Sequence, residues 1–490
     1  MLLKHAPMLL KLPLLSLSLS LALVGLTASP QAAAKESKKN VLLICIDDLR
    51  PELKSFGVDY IHSPNIDRLA DSGRAFHHHY VNAPTCGASR YTMLTGRYGP
   101  NGNQALFQRA QKLEQDENAV TPSMPEWFRK NGYTTVSVGK VSHHPGGWGG
   151  EDWYDNNTLE MPGAWDRQIM PTGQWKHPRG AMHGLAHGEI KPIGSFSEHK
   201  LEALQSSEGD DTIYHDGLIA DEGTEQLKDL AASDKPFFLA IGLIKPHLPF
   251  GSPKKYMAPY EGRELPPIDH PEKPDWRTTW HGSGEFFKQY LHHGKDPRED
   301  TEYADEVRRH YAACVTYADK HVGDILDTLK ETGRDKDTIV VLWGDHGWHL
   351  GEHAIFGKHC LFEEALRSPL IISDPDMKKA GKKTDAIVET VDIFPTLCEL
   401  TELDHPEFTH GRSLVSQIKK PNAKGHIAFA YQGNTQTVRN ASYRMTLHKD
   451  GYVELYNHSS PEKETKNIAE QNPQIVEELK SLIIEKQSKR

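Results

Sequence analysis

Val41-Leu42-Leu43-Ile44-Cys45-Ile46-Asp47-Asp48 decides the architecture. Six apolar residues in a row, with no polar alternation, describe a strand covered on both faces. Two acids then end it. Working outward, the same unit recurs. Ser63-Pro64 opens a helix through Leu69, with serine as N-cap and proline in the first turn. Residues 133–138 read as a strand after a helical stretch around Trp127. Residues 221–230 read as a helix leading into a buried strand at 236–244, and 302–331 as the longest helix, before a strand at 338–343. This alternation predicts an α/β fold, a mixed sheet with helices on both faces.

The polar residues fall where the strands end. Asp47 and Asp48 close the first, Lys140 the second, His247 follows the third, and Asp345 and His346 the fourth. Open α/β sheets bind ligands beyond the carboxyl ends of their strands, so four strands deliver these groups to one predicted pocket. Residues 146–200 and 250–300 interrupt the rhythm. The first stretch carries Trp148, Trp153, Trp165 and Trp175, and long insertions of this kind are usually functional or mobile. From residue 426 the pattern changes to short strands at 426–431, 442–448 and 452–456 and a helix at 472–485. This predicts a small antiparallel C-terminal subdomain (426–490) after a catalytic domain (35–425).

The first 34 residues are a separate matter. Lys4 and Lys11 precede an apolar run over 12–26, and Ala32-Ala33-Ala34 supplies a cleavage site, the three parts of a signal peptide. The run is short for a bilayer span of about 20 residues, and no cysteine follows it to carry a lipid. The expectation is an exported protein, periplasmic or secreted, without a stable membrane anchor. A net charge of −10 makes the chain a poor general partner for nucleic acid, and an anionic substrate would need a local basic pocket. Five cysteines are too few for a disulfide scaffold. Cys45 belongs to a buried strand, pairing among Cys314, Cys360 and Cys398 is open, and the odd count leaves a thiol to explain, for which Cys86 is the candidate.

Cys86 lies in Pro84-Thr85-Cys86-Gly87-Ala88-Ser89-Arg90-Tyr91-Thr92-Met93-Leu94-Thr95-Gly96. A second segment, Gly139-Lys140-Val141-Ser142-His143, has His144 beside it. Asp47-Asp48 and Gly344-Asp345-His346-Gly347 form a candidate metal set. Hard carboxylate oxygens suit calcium, which takes six to eight oxygen ligands at about 2.3–2.6 Å, and adjacent acids repel unless a cation lies between them. The imidazole of His346 leans towards softer metals. His247 sits in Lys245-Pro246-His247-Leu248-Pro249, where two prolines stiffen the loop and a fixed histidine suits a proton donor. Lys358 ends His353-Ala354-Ile355-Phe356-Gly357-Lys358.

Over these motifs the chain resembles the formylglycine-dependent sulfatase family. The likeness extends from about residue 38 to 470. Asp47-Asp48-Leu49-Arg50-Pro51, Lys245-Pro246-His247, Asp345-His346-Gly347-Trp348 and Leu350-Gly351-Glu352-His353 bring it nearest to the iduronate-2-sulfatase branch. The resemblance implies an alkaline-phosphatase/sulfatase-like fold and conversion of Cys86 to formylglycine. A maturation partner, either a formylglycine-generating or an anaerobic sulfatase-maturating enzyme, would carry out that conversion. The resemblance further implies hydrolysis of sulfate esters on a sulfated carbohydrate, with a 2-O-sulfated uronic acid as the specific expectation. It assigns catalysis to Cys86, Arg90, Lys140, His143, His247 and Lys358. One Ca2+ per chain falls to Asp47, Asp48, Cys86, Asp345 and His346, and substrate contacts fall to His144 and Trp348. Ala88 stands where many members have proline, which bears on the maturation partner. Ser142 replaces a commoner aromatic residue and His346 a common asparagine. Two alternatives stay open: a phosphate or phosphonate ester hydrolase of the same fold, and a carbohydrate-binding pseudoenzyme with an unmatured Cys86.

Overall fold

β1 (Asn40–Ile46) is buried along its whole length because strands flank it on both edges and helices cover both faces. A computed structural model describes residues 38–144, 160–191 and 200–488. The leader over 1–34, Trp148 and Trp153 lie outside the described residues. The remaining strands of the large sheet are β2 (Arg74–Tyr80), β3 (Thr134–Gly139), β4 (Arg167–Ile169), β5 (Phe237–Leu243), β6 (Thr338–Gly344), β7 (Leu370–Ser373) and β8 (Thr384–Glu389). Their order is β8-β2-β7-β6-β1-β5-β3-β4. Strands β6, β1, β5, β3 and β4 run parallel, β7 is antiparallel to both its neighbours, and β8 is parallel to β2. The sheet is mixed, and the four strands that end in polar residues are adjacent and point the same way.

Successive side chains of a strand point to opposite faces, and β1 feeds two cores accordingly. Leu42, Ile44 and Ile46 pack with α1 (Pro64–Ser72), α3 (His215–Ala231) and α4 (Thr301–Glu331) through Leu69, Ile219, Val307 and Tyr311. Val41, Leu43 and Cys45 pack with α2 (Cys86–Thr95) through Met93 and Leu94, and with Phe394 and Leu397 beyond β8. At about 25 cal/mol per Å² of apolar surface withdrawn from water, each such side chain contributes about 1.5–3 kcal/mol.

Four strands of the large sheet, β2, β4, β7 and β8, escape a reading by hydrophobic pattern. β2 reads Arg-Ala-Phe-His-His-His-Tyr, yet His79 is fully buried between the Ser368 carbonyl (3.1 Å) and Thr390 Oγ1 (3.0 Å). Burial lowers its pKa to about 4, so it packs as a neutral ring. β7 and β8 are short and follow no helix of their own length.

The C-terminal strands β9 (Ala428–Gln432), β10 (Thr435–Arg439), β11 (Tyr443–Leu447) and β12 (Val453–Asn457) form an antiparallel meander. Helix α5 (Pro473–Gln487) covers it, with Leu479 and Ile483 against Phe429, Val438 and Met445. β10 was absent from the sequence reading, because Thr-Gln-Thr-Val-Arg carries a single large apolar residue. Arg444 ties this sheet to the catalytic domain through Glu363 at 2.6 Å and to its own subdomain through Glu464 at 2.5 Å. All five cysteines are buried and free, so Cys314, Cys360 and Cys398 do not pair. Among the described residues, no helix is long and apolar enough to cross a membrane.

Two predictions follow from packing and charge. A Cβ on Gly242 would lie 2.0 Å from the Lys140 carbonyl oxygen, so Gly242→Ala forces β3 and β5 apart where Lys140 leaves the sheet. Urea unfolding should show a loss of about 1–3 kcal/mol, the usual cost of overpacking, and turnover should fall with it. His426 lies 2.7 Å from Asp392 and 3.5 Å from Glu389. Burial opposes its charge, but the two acids outweigh that and raise its pKa from 6.5 to about 9. A folded pKa above the unfolded value stabilises fully below pH 6.5 and fades as pH rises through the folded pKa. His426→Asn should therefore cost on the order of 2–3 kcal/mol at pH 6, a deficit that shrinks by pH 9–10 in a series of melts.

Candidate active site

The carboxyl ends of β1 and β6 are tied to each other before any side chain is considered. The Asp345 amide donates to the Ile46 carbonyl (3.2 Å), and the Asp48 amide donates to Asp345 Oδ1 (3.0 Å). Asp48 takes the left-handed region at φ 58°, costly for a residue with a Cβ. Tyr311 of α4 holds that turn: its hydroxyl donates to the Asp48 carbonyl (2.8 Å) and accepts the Arg50 amide (2.9 Å). Asp47, Asp48, Asp345 and His346 are all fully buried.

Helix α2 then brings its first turn against these acids. Cys86, Ser89 and Arg90 lie at i, i+3 and i+4, one face of the helix. Gly87 lets the turn approach Asn103, whose Cα would be 2.4 Å from a Cβ there. Ser89 Oγ donates to the Asp345 carbonyl. Arg90, with no exposed surface, bonds Asp345 Oδ2 at 3.0 Å, lies 3.5 Å from Asp47 Oδ1, and donates to the Val141 carbonyl at 3.0 Å. Lys140, whose amide is fixed by the Gly242 carbonyl at 2.8 Å, pairs with Asp47 Oδ2. Lys358 pairs with both Asp48 oxygens at 2.7 and 3.0 Å and reaches Cys86 Sγ at 3.3 Å. His346 Nε2 lies 3.2 Å from the same sulfur, and its Nδ1 donates to the Gly347 carbonyl at 3.0 Å.

Asp47, Asp48, Cys86, Arg90, Lys140, Asp345, His346 and Lys358 thus meet in one place. His247 joins them: its Nδ1 donates to the Leu248 carbonyl at 2.6 Å, turning Nε2 to within 4.0 Å of Asp48. Sequence reasoning missed Glu285, which lies 3.5 Å from His247 Nε2, 3.8 Å from Lys358 and 3.7 Å from His359. No motif marks it in the irregular 250–300 stretch. His183 was missed too, with its ring centroid 5.4 Å from that of His247. His143 and His144 follow Lys140 with ring centroids 4.4 Å apart, and His144 stacks on Phe107 at 5.2 Å. Among the described residues, no hydrogen bond or ion pair joins His143 to Cys86. Trp348 has no exposed surface and packs against Phe250 beneath Lys358 Nζ, 5.2 Å from its ring, and His144 is buried too, as Cys86, Arg90, Lys140 and Lys358 are. Trp175 is a core residue, sealed inside the same insertion.

The charges do not balance internally. Burial raises Asp47, but Lys140, His247, Arg90 and Lys358 outweigh it and hold it well below the usual carboxylate range. Burial raises Asp48 well above that range, with Lys358 opposing and Asp47, Glu285 and Asp345 adding to the rise. Burial and Asp47 push Asp345 up to about 7. Burial, then Asp47, also raise the Cys86 thiol, leaving it a poor nucleophile as it stands. One atom of each of Asp47, Asp48, Cys86 and His346 lies within 4.8 Å of the others, and Asp47 Oδ1 has no hydrogen bond although buried. This donor set fits a divalent cation, whose charge would let all three carboxylates ionise. Removing one member of a buried charge set costs about 3–5 kcal/mol. Arg90→Met should lose that much in urea unfolding of metal-depleted protein, far more than exposed Arg68→Met.

The sulfatase profile matches residues 39–403, and the profile of the C-terminal part of N-sulphoglucosamine sulphohydrolase matches residues 351–489. A sulfatase of Formosa agariphila is 30% identical over 464 residues, covering 90% of this chain and 84% of that protein. Human iduronate 2-sulfatase is 29% identical over 426 residues, covering 80% and 74%. In fold, the chain is similar to the phosphonate monoester hydrolase of Agrobacterium radiobacter, with a TM-score of 0.73 at 22% identity over 91% and 96% of the two chains. A match over most of the chain, joined to this geometry, places the protein in the sulfatase family, as a sulfuric ester hydrolase.

Proposed function

We propose that the protein removes sulfate from a sulfated carbohydrate, with formylglycine made from Cys86 as nucleophile and a 2-O-sulfated uronic acid as the group attacked. One observation carries this: Cys86 Sγ opens α2 at 3.2 Å from His346 Nε2 and 3.3 Å from Lys358 Nζ, beside the carboxylate cluster. The sugar preference rests on the likeness to iduronate 2-sulfatase. Export, by cleavage after the leader over 1–34, belongs to the same reading, as does a maturation enzyme acting on Cys86.

Asp47, Asp48, Asp345 and His346 would hold a calcium ion, which when bound polarises a sulfate oxygen as a Lewis acid. Hydration of the aldehyde supplies one hydroxyl to attack sulfur and a second through which sulfate is released. Arg90, Lys140 and Lys358 surround position 86 with positive charge, and preorganised cations stabilise the charge that develops on the sulfuryl oxygens. His247, oriented by the Leu248 carbonyl, gives a proton to the departing sugar oxygen. His143 accepts a proton as sulfate leaves, and Asp345 assists the first deprotonation.

The fold likeness to a phosphonate monoester hydrolase keeps phosphoryl esters as the rival reading. Turnover of matched sulfate and phosphate monoesters separates the two, and faster phosphate hydrolysis would reverse the assignment. Mass analysis of the Cys86 peptide from the native host should show an aldehyde replacing the thiol. Unmodified thiol throughout would leave a carbohydrate-binding protein. Lys140→Ala should lower turnover by about 10²–10³, the usual effect of losing one such donor. His247→Gln should slow a sugar sulfate more than an aryl sulfate, whose leaving group needs no proton.

A further inference from the structure

His349, His353 and Glu364 belong to no step above, yet they converge. The sequence His349-Leu350-Gly351-Glu352-His353 spaces two histidines by three residues, a metal-ligand spacing. The chain doubles back over the short strands His349–Leu350 and Phe356–Gly357, which pair with each other, and Glu364 returns to the same place. Glu364 Oε2 lies 3.4 Å from His349 Nε2 and 3.9 Å from His353 Nε2, and it makes no hydrogen bond. The His353 ring, in a residue only 2% exposed, has no hydrogen bond at Nδ1 either. Glu464, from the C-terminal subdomain, completes a group with His353 and Glu364 whose ligand atoms lie within 4.8 Å of one another.

We propose that His353, Glu364 and Glu464 form a second divalent-metal site, of zinc type, apart from the catalytic cluster. One imidazole and two carboxylates can take zinc with water in the fourth position. His349 stands outside that group and orients Glu364, its Nδ1 directed at the Gly357 carbonyl at 3.3 Å and its Nε2 facing Glu364 Oε2 at 3.4 Å. Glu464 is held in place by Arg444 at 2.5 Å and His458 at 2.9 Å on Oε1, while Oε2 accepts only the Glu363 amide and keeps a lone pair. His353, Glu364 and Glu464 line a cavity of about 800 Å³, an entry path for a hydrated ion. The ion would clasp the 349–364 segment to the C-terminal subdomain.

The test uses the full mature chain, equilibrated with zinc chloride and desalted. Anomalous difference maps collected above and below the zinc edge should show a peak among His353, Glu364 and Glu464. Bound zinc per chain should fall by one in His353→Ala and in Glu364→Gln, and zinc should raise the thermal midpoint of wild type but of neither variant. No peak at this position in wild-type crystals, or a zinc content unchanged by both substitutions, overturns the proposal. If a variant does not fold, the wild-type map still decides.

Discussion

Three carboxylates share one dry corner, and the rest of the molecule is arranged so that they can. Asp47, Asp48 and Asp345 have no exposed surface, and like charges in a medium of low dielectric repel strongly. Arg90 arrives on α2 against Asp345 and Asp47, Lys140 at the end of β3 against Asp47, and Lys358 on a loop after β6 against Asp48. Burial of this kind is poor for stability in itself. The large sheet, with its two apolar faces, supplies the free energy that holds the charges in register.

That division of labour explains what could be read in advance. The positions of Asp47, Lys140, His247 and Asp345 were visible because a continuous apolar run defines each strand and a polar residue marks its end. Helix α2 and its Cys86-to-Arg90 face followed from motif and periodicity together. The sulfatase resemblance foresaw a cluster that joins residues as far apart in the chain as Asp48 and Lys358, 310 positions from each other.

What stayed hidden has physical reasons. β2 conceals itself because His77, His78 and His79 look polar, while the fold buries His79 as an uncharged ring. Glu285 comes from a stretch without periodicity, so only proximity to His247 and Lys358 reveals it. Trp348 packs against Phe250 and lies under the Lys358 ammonium, contacts that no motif in the sequence announces. The paired histidines at 349 and 353 gained meaning only when the backbone folded Glu364 between them.

The near-complete enclosure of Cys86, 2% exposed at the first position of α2, bears on the maturation step of the proposed function. An enzyme converting that sulfur would find little of it within reach once the helix has closed on Asp345, so on that reading the conversion comes before the chain has folded.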